Sequence, residues 1–284
     1  MQHLHSPLGA PAAAFRYSRP MRAFLTLWLI LCAVPGNAAD MSVPDGLTRA
    51  GAQGVVVEII DGDTLKLRDG REVRLVGLQA PKLPLGRRGF KAWPLAQESK
   101  QALADLTLQK TVTLHFGGRR KDRHGRVLAH LSGTTGVWVQ GALLTRGMAR
   151  VYSFRDNRAA VRTMLELEGR ARRQRRGIWR HPFYRVRRHT DAGSDIGTFQ
   201  LVEGHVRAIA TVRDRTYLNF GTDWRRDFTV TVRKRFQRLF NGADYSLASL
   251  KGRRIRVRGW LDSRNGPMIE ATHPEQIEII DTPR

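Results

Sequence analysis

The chain of 284 residues contains a single cysteine, Cys32. It sits within an N-terminal apolar stretch and follows Leu31, whereas a lipid-attachment cysteine usually follows a small residue. Without that stretch the chain holds no cysteine. This excludes disulfides, Cys-based zinc sites and a thiol nucleophile. Acid is also scarce, with 25 Asp and Glu against 49 Lys and Arg, for a formal charge of +24. Long apolar runs are missing apart from Ala23 to Val34, which is too short to span a bilayer comfortably. No repeat of fixed period, nucleotide-cradling glycine loop or Ser/His/Asp arrangement is present. With 41% hydrophobic residues, wholesale disorder is excluded too.

What is present is a large cationic excess. It points to a polyanionic partner, nucleic acid first and an anionic membrane surface second. The charge is uneven: residues 50–197 carry 29 basic and 13 acidic side chains, residues 198–284 carry 16 and 10. At the N-terminus, Arg16, Arg19 and Arg22 precede the apolar stretch, and Gly36-Asn37-Ala38 follows it. That is the order of an export signal cleaved after Ala38. Met21 is an alternative start, and an uncleaved anchor is the competing reading. The expectation is an exported protein, periplasmic or secreted, with no stable membrane span after cleavage.

The remainder divides by composition into a leader (39–53), a dense mixed segment (54–186), a polar linker RRHTDAGSDIG (187–197) and a β-rich segment (198–284). In the first, Val55 to Ile60, Thr64 to Arg68, Glu72 to Leu78, Thr111 to Phe116 and Val127 to Leu131 read as strands, with turns at Asp61-Gly62-Asp63 and Asp69-Gly70. Pro94 to Leu106, Val139 to Met148 and Ala160 to Arg176 have helical spacing. The class is mainly β with helices, α+β: a five-strand meander suited to a small closed barrel. In the second, five or six short strands with a helical insert (Phe236 to Phe240, Leu247 to Leu250) suggest a small OB-like β-barrel.

Certain strings carry chemistry. Ile60-Asp61-Gly62-Asp63-Thr64 is followed by Arg74-Leu75 with Ala80-Pro81, then Asp122-Arg123-His124-Gly125-Arg126, Gly147-Met148-Ala149 and Gly177-Ile178-Trp179. Each is weak alone. In this order and spacing, over roughly residues 54–180, they resemble the staphylococcal-nuclease (thermonuclease) family. The resemblance implies an OB-type barrel that hydrolyses phosphodiester bonds with bound Ca²⁺, held by carboxylates. A Glu handles the attacking water and two Arg clamp the phosphate. Ca²⁺ needs hard oxygen ligands, and a guanidinium fork matches phosphate oxygens. By that resemblance Asp63 is the first metal carboxylate, and Arg74 and Arg126 are the clamp. Where the family reads Asp-Thr-Pro-Glu, this chain reads Gln79-Ala80-Pro81-Lys82. Gln79 therefore replaces a metal carboxylate and Lys82 replaces the general-base Glu, a change of three charge units. Lys82 is expected near Asp63, where the cation would stand. No cofactor is expected, with Ca²⁺ retained only if the metal centre has been rebuilt, for example from Asp61, Asp63 and backbone oxygens.

Further binding candidates are less specific. His124 lies in the loop before Arg126 and is either a phosphate or base contact or simply exposed. Residues 170–188 hold nine Arg, and Arg172, Arg173, Arg175 and Arg176 are either a non-specific phosphate surface or a solvated helix end. Glu166 and Glu168 read as salt-bridged surface residues. Arg254-Ile255-Arg256-Val257-Arg258 alternates, with its basic side outward. Tyr217, Phe220, Trp224 and Trp260 are either core or stacking platforms for single-stranded bases, Tyr217 and Trp260 being the chosen candidates. Three functions compete: a binder of DNA or RNA phosphates with impaired hydrolysis, an active phosphodiesterase with an altered metal centre, and a cell-envelope interaction module.

Overall fold

A long β-branched segment must bend to serve two neighbours, and the chain's first strand does so with bulges. β1 (Thr48–Asp61) pairs with β2 (Thr64–Leu67) through one half and with β5 (Thr111–Phe116) through the other. Register shifts lie between Val56 and Glu58 and between Ile59 and Asp61. Each bulge sharpens the twist that closes a barrel. With β3 (Glu72–Leu75) and β6 (Val127–Gly133) the ring closes in the order β1-β2-β3-β6-β5. The computed structural model describes residues 42–241 and 245–281. The export-signal segment 1–38 lies outside these residues.

The closed barrel bears out the expected class. The meander does not hold, because β3 and β6 run parallel, with Val73 opposite Val127 and Leu75 opposite Ala129. Parallel neighbours need a crossover. Here it carries the short strand β4 (Leu78–Gln79), helix α1 (Ala96–Thr107) and β5. After β6 come α2 (Val139–Thr145), β7 (Arg150–Val151), which pairs with β4, and α3 (Val161–Arg173). Leu65, Leu75, Leu103, Leu114, Trp138 and Met164 are buried in the shared core. The supposed leader also joins in, because β1 begins at Thr48 and pairs it with Phe116.

The expected linker is structured as well. β8 (Arg187–Arg188) runs parallel to β9 (Phe199–His205), and His189–Asp195 forms 3₁₀ turns. Ala192 is fully buried in the C-terminal core, and Arg187 is held by Asp195 at 2.7 Å. Its polar composition reflects turn chemistry and ion pairing rather than flexibility. β10 (Ala208–Val212), β11 (Arg215–Asn219), β12 (Thr229–Arg233), α4 (Lys234–Phe240), β13 (Arg254–Trp260), β14 (Asp262–Ser263), β15 (Pro267–Glu270) and β16 (Ile277–Ile279) follow. They form two sheets, β10-β11-β12-β15-β14 and β16-β13-β9-β8, around Phe228, Val230, Phe240, Leu250 and Val257.

The two halves meet at a buried ion pair, and here two expectations fail. Glu168 is not on the surface, and Arg258 does not point outward: they are 0% and 1% exposed. Arg258 donates to both Glu168 oxygens at 3.0 and 2.8 Å, to the Val151 carbonyl at 3.1 Å, and to Glu278. The alternation in β13 is real, but its basic face is buried at Arg258 against Glu168 of α3, while Arg254 stays exposed. Arg172 also pairs with Glu168, at 3.3 Å. Around this centre Ser153 shares a 2.7 Å hydrogen bond with His273, and Arg158 makes a two-pronged pair with Glu275.

Removing one partner of a buried pair leaves the other charge uncompensated. Glu168→Gln should lower the unfolding free energy by about 3–5 kcal/mol, read from urea denaturation. Burial also pulls two histidines down, His130 to about 3 and His273 to about 4. In the unfolded chain each takes a proton near pH 6.5, while the native rings stay neutral. Stability contributed by neutral burial is therefore intact above pH 6.5 and drains away as pH falls towards 4. The slope is up to about 1.4 kcal/mol per pH unit for each ring. Urea midpoints at pH 7 and pH 5 should differ in that direction.

Candidate functional site

The tight Asp61-Gly62-Asp63 turn joins β1 to β2 beneath α1. A side chain at position 62 would place its Cβ 2.2 Å from Ser99 Oγ and 2.8 Å from Ala80 Cβ, so only glycine fits. The Asp63 side chain beside it is wholly buried. A buried carboxylate needs partners. The Ala80 amide donates to Oδ2 at 2.8 Å and the Thr64 hydroxyl to Oδ1 at 3.1 Å. Lys82 Nζ lies 2.6 Å from Oδ2 and 3.3 Å from Asp61 Oδ2. Arg74, beside Asp63 because Thr64 faces Arg74 across the β2–β3 ladder, brings Nη2 to 3.2 Å. Burial pushes the Asp63 carboxyl up, but the charges of Arg74 and Lys82 prevail and hold it below the usual carboxylate range.

A Ca²⁺ ion does not fit this donor set. The ammonium of Lys82 already lies against both carboxylates the ion could use, 2.6 Å from Asp63 Oδ2 and 3.3 Å from Asp61 Oδ2. Gln79 contributes nothing, since its Oε1 accepts from Arg150 Nε at 2.8 Å. Burial draws the Arg150 guanidinium down to about 10, leaving it charged at neutral pH among the rings of Phe199, Tyr184 and Trp93. Among the described residues no group of three or more His, Cys, Asp or Glu converges on a metal-sized site.

The second arginine comes from a turn whose geometry is local. Asp122 Oδ1 accepts from the amides of His124 and Arg126, and Gly125 takes the left-handed conformation at φ +81°. Asp122 Oδ2 then orients Arg126 through Nε at 2.7 Å. Arg74 and Arg126 line the same cavity of about 430 Å³ together with Arg119, Arg123, His124 and Tyr152. Tyr152 and its neighbour Phe154, which pack edge to face at 4.7 Å, belong to the site and went unnoticed in the sequence. Their signal is weak, because Val151 to Phe154 carries no motif. Trp260 of the C-terminal half reaches this rim and donates Nε1 to the Tyr152 hydroxyl at 3.0 Å.

The arginine run divides. Arg172 is consumed by Glu168 and by the face of Trp179, so it is structural rather than a free phosphate contact. Arg176 is half-buried, donates to the Thr145 carbonyl, and lines a groove with Arg146 and Arg180. Arg173 and Arg175 are exposed. Tyr217 lies on β11, a separate surface from the Arg74–Arg126 cavity.

An uncharacterized endonuclease of Escherichia coli is 31% identical over 162 residues, covering 56% of this chain and 90% of the relative. The family model described as staphylococcal nuclease homologue matches residues 72–181. The chain belongs to the staphylococcal nuclease family. A micrococcal nuclease of Shigella flexneri is 31% identical, over 46% of this chain and 75% of its own. A thermonuclease of Staphylococcus hyicus is 26% identical, over 47% and 80%. The family match holds Gln79, Lys82 and both clamp arginines. It excludes the whole C-terminal half.

Lys82→Ala should raise the Asp63 pKa and lower stability at neutral pH, since the remaining cation faces the carboxylate alone. Carboxyl-carbon NMR titration of the variant against the parent chain checks the direction.

Proposed function

We propose that this staphylococcal nuclease family member is an exported protein that binds nucleic-acid phosphates and has lost most Ca²⁺-dependent hydrolysis. The observation that carries the reading is the Lys82 ammonium 2.6 Å from Asp63 Oδ2. Two unit charges 4 Å apart interact by about 4 kcal/mol at an effective dielectric of 20. Replacing two carboxylates by an amide and an ammonium therefore removes far more than a divalent ion could recover from Asp63 alone. Of the two arginines Arg126 keeps the freer guanidinium: both Nη atoms of Arg74 are engaged by Asp63 and by the Leu75 and Leu78 carbonyls, whereas Arg126 meets Asp122. Export rests on Arg16, Arg19, Arg22 and the 23–38 segment. N-terminal sequencing of the protein recovered outside the cytoplasm tests it, with a start at Ala39 as the expected result.

The second reading, an active nuclease with a rebuilt metal centre, is favoured by the retained arginines and by relatives named as nucleases. Labelled single-stranded DNA separates the two. Incubated with Ca²⁺, Mg²⁺, Mn²⁺ or EDTA, the chain should cleave no faster than Arg74→Ala. It should still bind, with affinity falling steeply in salt. Metal-dependent cleavage that Arg74→Ala abolishes would establish the second reading instead.

The family pattern also gives a gain-of-function test. Lys82→Glu combined with Gln79→Asp restores the family's carboxylates, yet Arg150 is placed to capture the residue at position 79. Calorimetric titration should therefore show Ca²⁺ binding in the double variant weaker than in the triple variant that adds Arg150→Gln.

A further inference from the structure

The five-stranded sheet of the C-terminal half presents a cavity of about 340 Å³ that has no counterpart in the family match. Tyr217 and Asn219 from β11 and Met268 from β15 line it. Trp224, in the loop before β12, forms one wall, and Arg264 and Asn265, in the turn before β15, form the rim. Cavities of this size take small planar ligands. Trp224 is 53% exposed, a high solvation cost for so large a ring. Arg225 lies over its face at 4.9 Å.

The polar groups around it are idle. Among the described residues the Tyr217 hydroxyl, the Arg264 guanidinium and the Asn265 side-chain amide have no hydrogen-bond or ion-pair partner. Asn219 uses only its oxygen, accepting from Thr229 at 3.3 Å, which leaves its two N–H groups. The nearby carboxylates are occupied: Asp227 accepts from the Asp223 amide, and Asp223 accepts from the Arg225 amide and pairs with Arg226. The site thus combines an exposed aromatic face, amide donors at one edge and unpaired guanidinium at the rim. A flat, hydrogen-bonding ring carried on a phosphodiester matches all three features.

We propose that this cavity seats one unpaired nucleobase of a single-stranded nucleic acid. The base stacks on Trp224, the Asn219 and Asn265 amides meet its polar edge, and Arg264 meets the adjoining phosphate. The phosphate-binding reading above supplies the polymer class on which this inference rests. The site itself is independent of the Arg74–Arg126 cavity.

The test compares an octathymidylate with an abasic octamer of equal charge, bound to the full chain in EDTA and followed by anisotropy. Stacking of a single base on an aromatic side chain is lost by alanine substitution at roughly ten-fold in affinity. The parent chain should therefore favour the base-bearing octamer by about ten-fold. Trp224→Ala should erase that preference and leave abasic binding unchanged, with the same urea midpoint because the ring is exposed. Arg74→Ala with Arg126→Ala should weaken both octamers and preserve the ratio. Equal binding of the two octamers by the parent chain, or a ratio untouched by Trp224→Ala, overturns the inference and leaves phosphate binding standing. Failure to bind either octamer overturns both. A Trp224 fluorescence response to a neutral oligosaccharide alone would reassign the cavity.

Discussion

A carboxylate taken wholly out of water must be neutralised, and the local structure around Asp63 follows from that constraint. The obligate glycine of the β1–β2 turn packs against Ser99 of α1 and Ala80, and the Asp63 side chain beside it is wholly buried. What neutralises it is then decided by residues far away in sequence but adjacent in the barrel, Arg74 across the ladder and Lys82 at the end of the crossover. An external divalent ion would do the same work at the cost of being supplied and held. The ammonium is covalently attached, so the charge balance is permanent. Asp63 is therefore neutralised by this chain's own cations.

The second constraint is the inter-half centre at Glu168. Its two oxygens are shared among Arg258, Arg172 and the Val151 amide. Arg258 is held charged because Glu168 and Glu278 outweigh the cost of its burial. Val151 adjoins both Arg150 and Tyr152, so this network fixes the strand that carries an aromatic residue of the phosphate cavity. Trp260, two residues beyond Arg258, reaches the same rim. The C-terminal half thus buttresses Tyr152, which lines the Arg74–Arg126 cavity, and rearrangement at β13 would reach that residue directly.

Much of the barrel was legible because short-range rules govern it. β-branched runs, an Asp-Gly hairpin turn and helical spacing located nearly every element. The β3–β6 parallel pairing was not legible, since nothing local distinguishes a crossover from a meander. Residues 187–197 misled through composition: Asp, Ser and Gly serve turns within a fold as readily as they serve linkers. Glu168 and Arg258 misled because 90 residues separate them. Each alone reads as a surface charge, and only tertiary packing turns two such charges into a buried pair. The Lys82–Asp63 contact was readable because a motif fixed the register of both residues, whereas Tyr152 and Phe154 carried no motif at all.

The electrostatics of the cavity follow from these placements. In a metal-dependent site the arginines and the ion act together on the same phosphate, while carboxylates offset the charge. Here Lys82 spends its charge on Asp63 and Asp61, Arg126 is partly offset by Asp122, and Arg150 is turned away by Gln79. Arg74 is held by Asp63 and by backbone carbonyls, while Arg119 and Arg123 lie with Arg126 along the cavity. A cluster of this charge attracts polyanions at long range. The ammonium of Lys82 stands where the family resemblance puts the Glu that handles water, and an ammonium accepts no proton. Arg126 and Lys82 lie on different segments and pair with different carboxylates, Asp122 and Asp63, so either charge can be altered without removing the other's partner.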